Sequence, residues 1–233
     1  LYKNTKFIFE ETFRNIFTSI KFSKSGKEIK IINISSTIPE EGKSLCSLFL
    51  AISISQISKK VLIIDTDLRK PSLHKRLEVD NVLGISNYLV SNESDWNKYI
   101  YQHEVCENLS YMTSGKIPPN SITLLESNKM KSFIEELRNS SQFDFIILDC
   151  PPVLGLSDSM IISSYVDASI LTVSLKKVNK KLAVECLKKF KQIKTPIIGS
   201  IINCISEDSA NNNLLSGNYA YGNPCLLYTS DAA

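Results

Sequence analysis

The chain reads as an α/β protein with a mostly parallel, doubly wound sheet covered by helices on both faces. Three observations predict this. Strand-length apolar runs alternate with segments of helical period between residues 30 and 203, the pattern of consecutive βαβ units. Val61-Leu62-Ile63-Ile64 and Phe145-Ile146-Ile147-Leu148 are apolar throughout rather than at every second position, as strands buried on both faces require. The first strand runs into a loop ending Gly42-Lys43-Ser44, and a helical segment follows at once.

Taken in order, residues 5–22 carry Phe9, Phe13, Ile16, Phe17 and Ile20 at i, i+4, i+7, i+8 and i+11, the stripe of an amphipathic helix. A strand is expected near 30–35 and a helix near 44–57. Further strands are expected near 61–65, 109–112, 144–149, 168–174 and 197–203, and further helices near 121–138, 157–165 and 179–193. Within 121–138, Met130, Phe133, Ile134 and Leu137 form a core-facing stripe. These elements make one domain, residues 1–205. From Ser206 the chain turns to Glu, Asp, Ser, Ala and Asn, the composition of a flexible tail, 206–233.

A strand, a tight loop ending Gly-Lys-Ser and a helix form a phosphate-binding arrangement, the P-loop. Gly42 lets the backbone approach an anion, and the helix N-terminus turns amide N–H groups toward it. Lys43 reaches the β- and γ-phosphates of a nucleotide, and the Ser44 hydroxyl ligates Mg²⁺. Thr37 stands where the pattern has its first glycine. The nucleotide-lining set is therefore Thr37, Pro39, Glu40, Glu41, Gly42, Lys43, Ser44 and Leu45. Two other strands deliver acids: Asp65-Thr66-Asp67-Leu68-Arg69 follows 61–64, and Asp149-Cys150-Pro151-Pro152 follows 145–148. Ligands of parallel sheets bind outside the carboxyl ends of the strands. Lys43, Ser44, Asp65, Asp67 and Asp149 thus meet at one edge, where carboxylates hold the waters of a divalent cation. The metal set is Ser44, Asp67 and Asp149.

Composition narrows the classes. A hydrophobic content of 43% and a charged content of 22% suit a globular domain. A net charge of +3 from 27 basic and 24 acidic residues carries no polyanion signal, so no nucleic-acid partner is expected. No apolar stretch reaches the roughly 18 residues of a membrane span, and no signal peptide is visible. Six cysteines are scattered without C-x-x-C spacing, which reads as free thiols in a reducing cytoplasm. His74 and His103 are too few for a metal cluster.

The three segments resemble the Walker A, Walker A′ (apolar run, D-x-D-x-R) and Walker B (apolar run, D-x-P-P) motifs of the bacterial tyrosine kinases, or BY-kinases, which regulate capsular and exopolysaccharide synthesis. The similarity continues in Lys70-Pro71-Ser72-Leu73-His74, Gly84-Ile85-Ser86 and Gly115-Lys116-Ile117-Pro118-Pro119-Asn120, and covers roughly residues 10–205. It implies a P-loop NTPase fold and an ATP- and Mg²⁺-dependent protein tyrosine autokinase controlling polysaccharide synthesis and chain length. Lys43, Asp65, Asp67 and Asp149 would be its catalytic residues. Asp65 is the candidate to accept the tyrosine proton, although spacing leaves Asp65 and Asp67 interchangeable. Arg69 either orients a carboxylate or forms a surface ion pair. Asn203, ending the last strand, matches a place where related ATPases contact adenine.

The resemblance also implies autophosphorylation in trans. Gly217-Asn218-Tyr219-Ala220-Tyr221-Gly222 is similar to a short form of the family's tyrosine cluster, making Tyr219 and Tyr221 the acceptors, while Pro224 to Ala233 match no family tail. A family helix with an E-x-x-R-x-x-R motif docks on the neighbouring subunit of a ring. Glu11 and Arg14 match it, but Phe17 replaces the second arginine. The implied partners are the cytoplasmic segment of a membrane polysaccharide co-polymerase, other copies of the chain, and protein substrates of polysaccharide synthesis. The implied location is the inner face of the cell membrane, reached through a separate activator or one fused upstream of Leu1.

The alternative is a partition or division-site ATPase switch on the same fold. Those proteins carry a signature lysine five residues before the P-loop lysine. Here that position is Ile38, followed by Pro39 and Glu40 in place of glycines.

Overall fold

The computed structural model describes residues 2–23, 28–57, 59–193, 195–203 and 226–228. Its centre is one sheet. Strands β1 (Ile31–Ser36), β2 (Val61–Asp65), β3 (Tyr101–Gln102), β4 (Leu109–Met112), β5 (Phe145–Asp149), β6 (Ala168–Ser174), β7 (Ile197–Asn203) and β8 (Leu226–Tyr228) lie in the order β3-β4-β2-β5-β1-β6-β7-β8. The six inner strands are parallel, and the short edge strands β3 and β8 are antiparallel to their neighbours. The expected strands are all present, within a residue or so of the expected bounds. Three residues of the expected tail, 226–228, pair with β7 as β8; Leu-Leu-Tyr is strand-prone, and pairing satisfies an otherwise open sheet edge.

The helices are α1 (Tyr2–Lys21), α2 (Lys43–Ser55), α3 (Leu73–Leu77), α4 (Ile85–Val90), α5 (Ser121–Leu125), α6 (Asn128–Asn139), α7 (Asp158–Ser163) and α8 (Lys180–Phe190), with a 3₁₀ turn at Trp96–Tyr99. The single helix expected over 121–138 is two. Ser127 takes an extended conformation and its side chain accepts from the Met130 N–H, so it caps α6 and separates it from α5. At α4, a β-carbon on Gly84 would lie 2.1 Å from the Thr113 carbonyl oxygen, so only glycine allows that loop to meet the end of β4.

Each strand sends alternate residues to opposite faces, and both faces are covered. On one, Ile32, Ile34, Ile63, Phe145, Ile147 and Ile170 pack under Phe13, Ile16, Phe17 and Ile20 of α1 and Leu50 and Ile54 of α2. On the other, Leu62, Ile64, Ile146 and Leu148 pack against Tyr88, Trp96, Phe133, Ile134, Leu137 and Ile162. A smaller cluster under α8 joins Val153, Leu171, Cys186 and Phe190. Phe17 is buried and stands edge-on to Phe145 with ring centroids 5.5 Å apart. The residue that interrupts the arginine motif is therefore a core residue of its own domain. Glu11 and Arg14 form a half-exposed ion pair of 3.3 Å on the same helix. No helix among the described residues is long and apolar enough to cross a membrane.

Candidate nucleotide site

Sheet register assembles the site. Asp65 and Asp149 are direct neighbours across β2 and β5, and Ile34, two residues before the end of β1, is the neighbour of Asp149 on the other side. The β2 and β5 ends are locked together by Thr66, whose N–H and hydroxyl both donate to the Asp149 carbonyl at 2.9 and 2.8 Å. The P-loop crosses the end of β1 and is held from behind by residues 150–154. Cys150, Val153 and Leu154 donate their N–H groups to the carbonyls of Ile34, Ser36 and Thr37.

Within the loop, Glu40 and Gly42 take the left-handed conformation, at φ 64° and 89°. At Gly42 the dihedral angles call for glycine, and a β-carbon there, 2.2 Å from Asn203 Nδ2, would also push that side chain aside. Asn203 itself donates from Nδ2 to the Glu41 carbonyl at 2.9 Å. Glu41 turns its side chain inward, where it accepts the Ile38 and Ser174 N–H groups, each at 2.7 Å. Burial raises its pKa despite those bonds. Pro39 and Glu40 stand on the exposed side of the loop, and Glu40 pairs with Lys177 at 2.7 Å. Thr37 is fully buried, and Leu45 is half-buried in the first turn of α2.

Lys43 opens α2 and lies in a nest of acids, with Nζ 3.0 Å from Asp67 Oδ2 and 3.7 Å from Asp149 Oδ1. Burial alone would lower its pKa, but Asp149, Asp67 and Asp65 outweigh burial and hold it above the ordinary lysine value. Ser44 Oγ accepts from Lys43 Nζ at 3.3 Å and from the Ser72 hydroxyl at 2.8 Å. Ser47, one turn further along α2, donates to the Lys43 carbonyl at 2.9 Å and reaches Asp149 Oδ1 at 3.4 Å.

The two acids of the D-x-D run are not equivalent. Asp65 is fully buried, and both its oxygens accept backbone N–H groups: Oδ1 from Asp67 at 3.1 Å, Oδ2 from Ser72 and Leu73 at 3.0 Å each. It thereby closes the 66–72 loop and caps α3. Burial first, and the adjacent Asp149 second, push its pKa up to about 7. Asp67 accepts the Lys70 N–H on Oδ1 and points Oδ2 at Lys43. Asp149 is fully buried, its pKa is raised by that burial, and its Oδ2 has no hydrogen-bond partner.

An orphaned carboxylate oxygen, a serine hydroxyl and three acids around one lysine suit a hard divalent cation. Mg²⁺ takes only one or two protein ligands and fills its shell with phosphate and water. Among the described residues, no group of three His, Cys, Asp or Glu is placed to hold a metal ion unaided.

The structure brings Lys43, Ser44, Asp65, Asp67 and Asp149 together and sets Asn203 against the back of the P-loop. Tyr219 and Tyr221 lie outside the described residues. Sequence reading missed Ser47 and Ser72. Ser47 is one helical turn from Lys43, a spacing that could have flagged it. It also missed the partner of Arg69, which forms a two-pronged contact with the fully buried Asp158 (Nε to Oδ2 3.0 Å, Nη2 to Oδ1 3.1 Å). Ser121 donates to the same carboxylate at 2.7 Å. The contact raises the Arg69 pKa and ties the loop of Asp67 to α7.

Comparison with known proteins agrees with this geometry. The AAA domain model AAA_31 matches residues 29–202. Tyrosine-protein kinase YwqD of Bacillus subtilis is 35% identical over 193 residues, covering 83% of this chain and 80% of that protein. Tyrosine-protein kinase ptk of Acinetobacter johnsonii is 36% identical over 208 residues, 89% of this chain but 28% of that longer protein. Among solved structures, the kinase domain of Escherichia coli tyrosine kinase ETK superposes with a TM-score of 0.79 at 30% identity, covering 92% of this chain and 80% of that one. The septum site-determining protein MinD of Pyrococcus horikoshii, solved with Mg-ADP, shares the fold at a TM-score of 0.60 and 24% identity, covering 75% and 70%. With its P-loop, paired acids and these relatives, the chain belongs to the bacterial tyrosine kinases of the P-loop NTPase class.

Proposed function

We propose that the chain is an Mg²⁺- and ATP-dependent protein tyrosine kinase that phosphorylates Tyr219 and Tyr221 of a neighbouring copy and so regulates capsular or exopolysaccharide synthesis. The observation that carries this reading is Lys43, held between Asp67 and Asp149 at the mouth of the P-loop. Phosphoryl transfer depends mostly on positioning and charge stabilisation. In the reading proposed here, Lys43 turns from the carboxylates to the β- and γ-phosphates, joined by the loop amides and the α2 N-terminus. Ser44 would hold Mg²⁺ directly, and Asp149 and Asp67 would hold it through its waters. Bound there, the cation supplies charge neutralisation and lowers the cost of ionising the attacking hydroxyl. As Lys43 turns away, Asp67 Oδ2 is released. The tyrosine oxygen bonds to the γ-phosphorus, the bond to the β,γ-bridging oxygen breaks, and the phenolic proton passes to Asp67.

Asp67 is preferred over Asp65 as the acceptor because both Asp65 oxygens are engaged by backbone amides. Asn203 remains the candidate to contact the adenine, and Leu45 belongs to the nucleotide-lining set. About sixteen residues separate Asn203 from Tyr219, but Leu226 is paired beside Ile202, so Tyr219 is seven residues from that anchor, a reach of about 25 Å at ~3.3–3.6 Å per residue. The family resemblance supports activation by the cytoplasmic segment of a membrane co-polymerase, so the chain alone should be a weak kinase that such a segment stimulates. The division-site ATPase reading is disfavoured by Ile38 at the signature-lysine position.

The test is Lys43→Met with Mg-ATP and anti-phosphotyrosine detection. A fall of ~10²-fold or more is expected, and wild-type signal would overturn the kinase reading. Mass spectrometry on the wild type should find phosphate on Tyr219 or Tyr221 first. Phosphate confined to other tyrosines would refute the tail assignment alone.

A further inference from the structure

Helix α8 and the turn before it hold a concentration of charge that the nucleotide site does not use. Residues 176–191 contain Lys176, Lys177, Lys180, Lys181, Lys188, Lys189 and Lys191 against one acid, Glu185. The whole chain is only +3, so the remainder is net negative. Lys177 pairs with Glu40. Among the described residues no ion pair engages Lys180, Lys181, Lys188 or Lys191.

Helical geometry sorts these side chains. Cys186 and Phe190 point inward onto Leu171 and Val153. The opposite arc carries Lys180, Lys181, Lys188 and Lys191, all exposed, with Val184 among them at 41% exposure, Leu187 at one margin at 39% and the exposed Glu185 at the other. Leu175, just before the helix, is 50% exposed.

We propose that this face of α8 docks directly on an anionic lipid bilayer, independently of catalysis. Charge complementarity points to a polyanion, and three features select a bilayer. Protein interfaces are depleted in lysine and enriched in arginine and aromatic residues, and the outward arc has lysine but no arginine or aromatic residue. Single-stranded nucleic acid is held by stacking on aromatic side chains, which the arc lacks. Exposed Val184 and Leu187 among lysines suit a surface with charged headgroups above an apolar layer, where ammonium groups meet phosphate and short apolar side chains enter the interface. Such a contact would orient the kinase toward the membrane even without a protein anchor.

The experiment is co-sedimentation of the purified chain with vesicles of phosphatidylcholine plus phosphatidylglycerol, and with vesicles of phosphatidylcholine alone. Binding to the anionic vesicles only, lost in high salt, is expected. Replacing Lys180, Lys181, Lys188 and Lys191 by Gln should weaken it about tenfold or more. The same change at the exposed Lys60, Lys75, Lys116 and Lys131 should leave most of it. Val184→Ser with Leu187→Ser should weaken vesicle binding a few-fold while leaving binding to heparin or an oligonucleotide unchanged. Equal loss from both lysine sets, no preference for anionic vesicles, or vesicle binding indifferent to Val184 and Leu187 would each overturn the proposal, the last in favour of a soluble polyanion. Lys43→Met should bind as the wild type does, which separates this result from the fate of the kinase reading.

Discussion

Two regions of this molecule treat lysine in opposite ways. At the end of the sheet, Lys43 is 10% exposed and packed among Asp65, Asp67 and Asp149. Across α8, lysines stand in solvent with almost no acids near them. A buried charge leaves its partners only for others placed to receive it, because standing unpaired costs desolvation on both sides. An exposed one is screened and mobile. The first arrangement suits chemistry that must be aimed, the second attraction to a surface without a single geometry.

The sharpest way to break the contrast is within the acidic cluster. Asp67→Asn should lower tyrosine phosphorylation by ~10²-fold or more and leave the melting temperature close to wild type. Asp65→Asn should instead reduce stability by about 1–3 kcal/mol, because an amide cannot accept all three backbone N–H groups now bound to that carboxylate. Denaturant titration beside a phosphotyrosine assay reads both, and the reverse pattern would exchange the two roles. Next in size is Arg69→Ala, which strands the buried Asp158 with only Ser121. A loss of about 1–3 kcal/mol is expected, below a fully buried pair because Arg69 is 40% exposed. Arg69→Lys should recover only part, since it lacks the fork that meets both oxygens.

Glu41→Gln offers a pH test. Burial raises the folded-state pKa of Glu41 above its ordinary value, so its contribution to stability is fully present below that ordinary value and is lost as pH rises through the folded pKa. The stability gap between wild type and Glu41→Gln should therefore narrow as pH rises from about 4 toward neutrality, measured by denaturant titration at several pH values. The smallest effect belongs to the other region. Changing Lys180, Lys181, Lys188 and Lys191 to Gln should alter stability by less than about 0.5 kcal/mol per site and leave kinase activity in solution unchanged.

What the sequence made legible follows the same division. Strands β2, β4, β6 and β7 were readable to the residue, and β1 and β5 to within one, because each is a short run rich in Ile, Leu, Val or aromatic residues. Helices α3 and α4 were not, since neither spans two full turns; the first is capped by a carboxylate eight residues before Leu73 and the second rests on Gly84 meeting Thr113. Lys43, Ser44 and the three acids were legible because each ends a strand or loop of recognisable type. The inequality of Asp65 and Asp67 was not, because it depends on which backbone amides the 66–72 loop returns to. Asp158 was hidden for the same reason: its partner comes from a loop 89 residues away. Phe17 was legible as part of the apolar stripe of α1, but periodicity does not show which surface covers a side chain; the structure sets it against Phe145.

Strand β1 sits in the middle of the sheet between β5 and β6, with Ile34 beside Asp149 and Ser36 beside Thr172, and the Gly42 turn is braced by Asn203. The P-loop is thus made before the β5, β6 and β7 segments that flank and brace it, and contacts so distant in sequence form slowly. A nascent chain stopped before residue 197 would have Gly42-Lys43-Ser44 in full and still lack the brace that shapes it, so nucleotide binding becomes a marker that β7 has been made and docked.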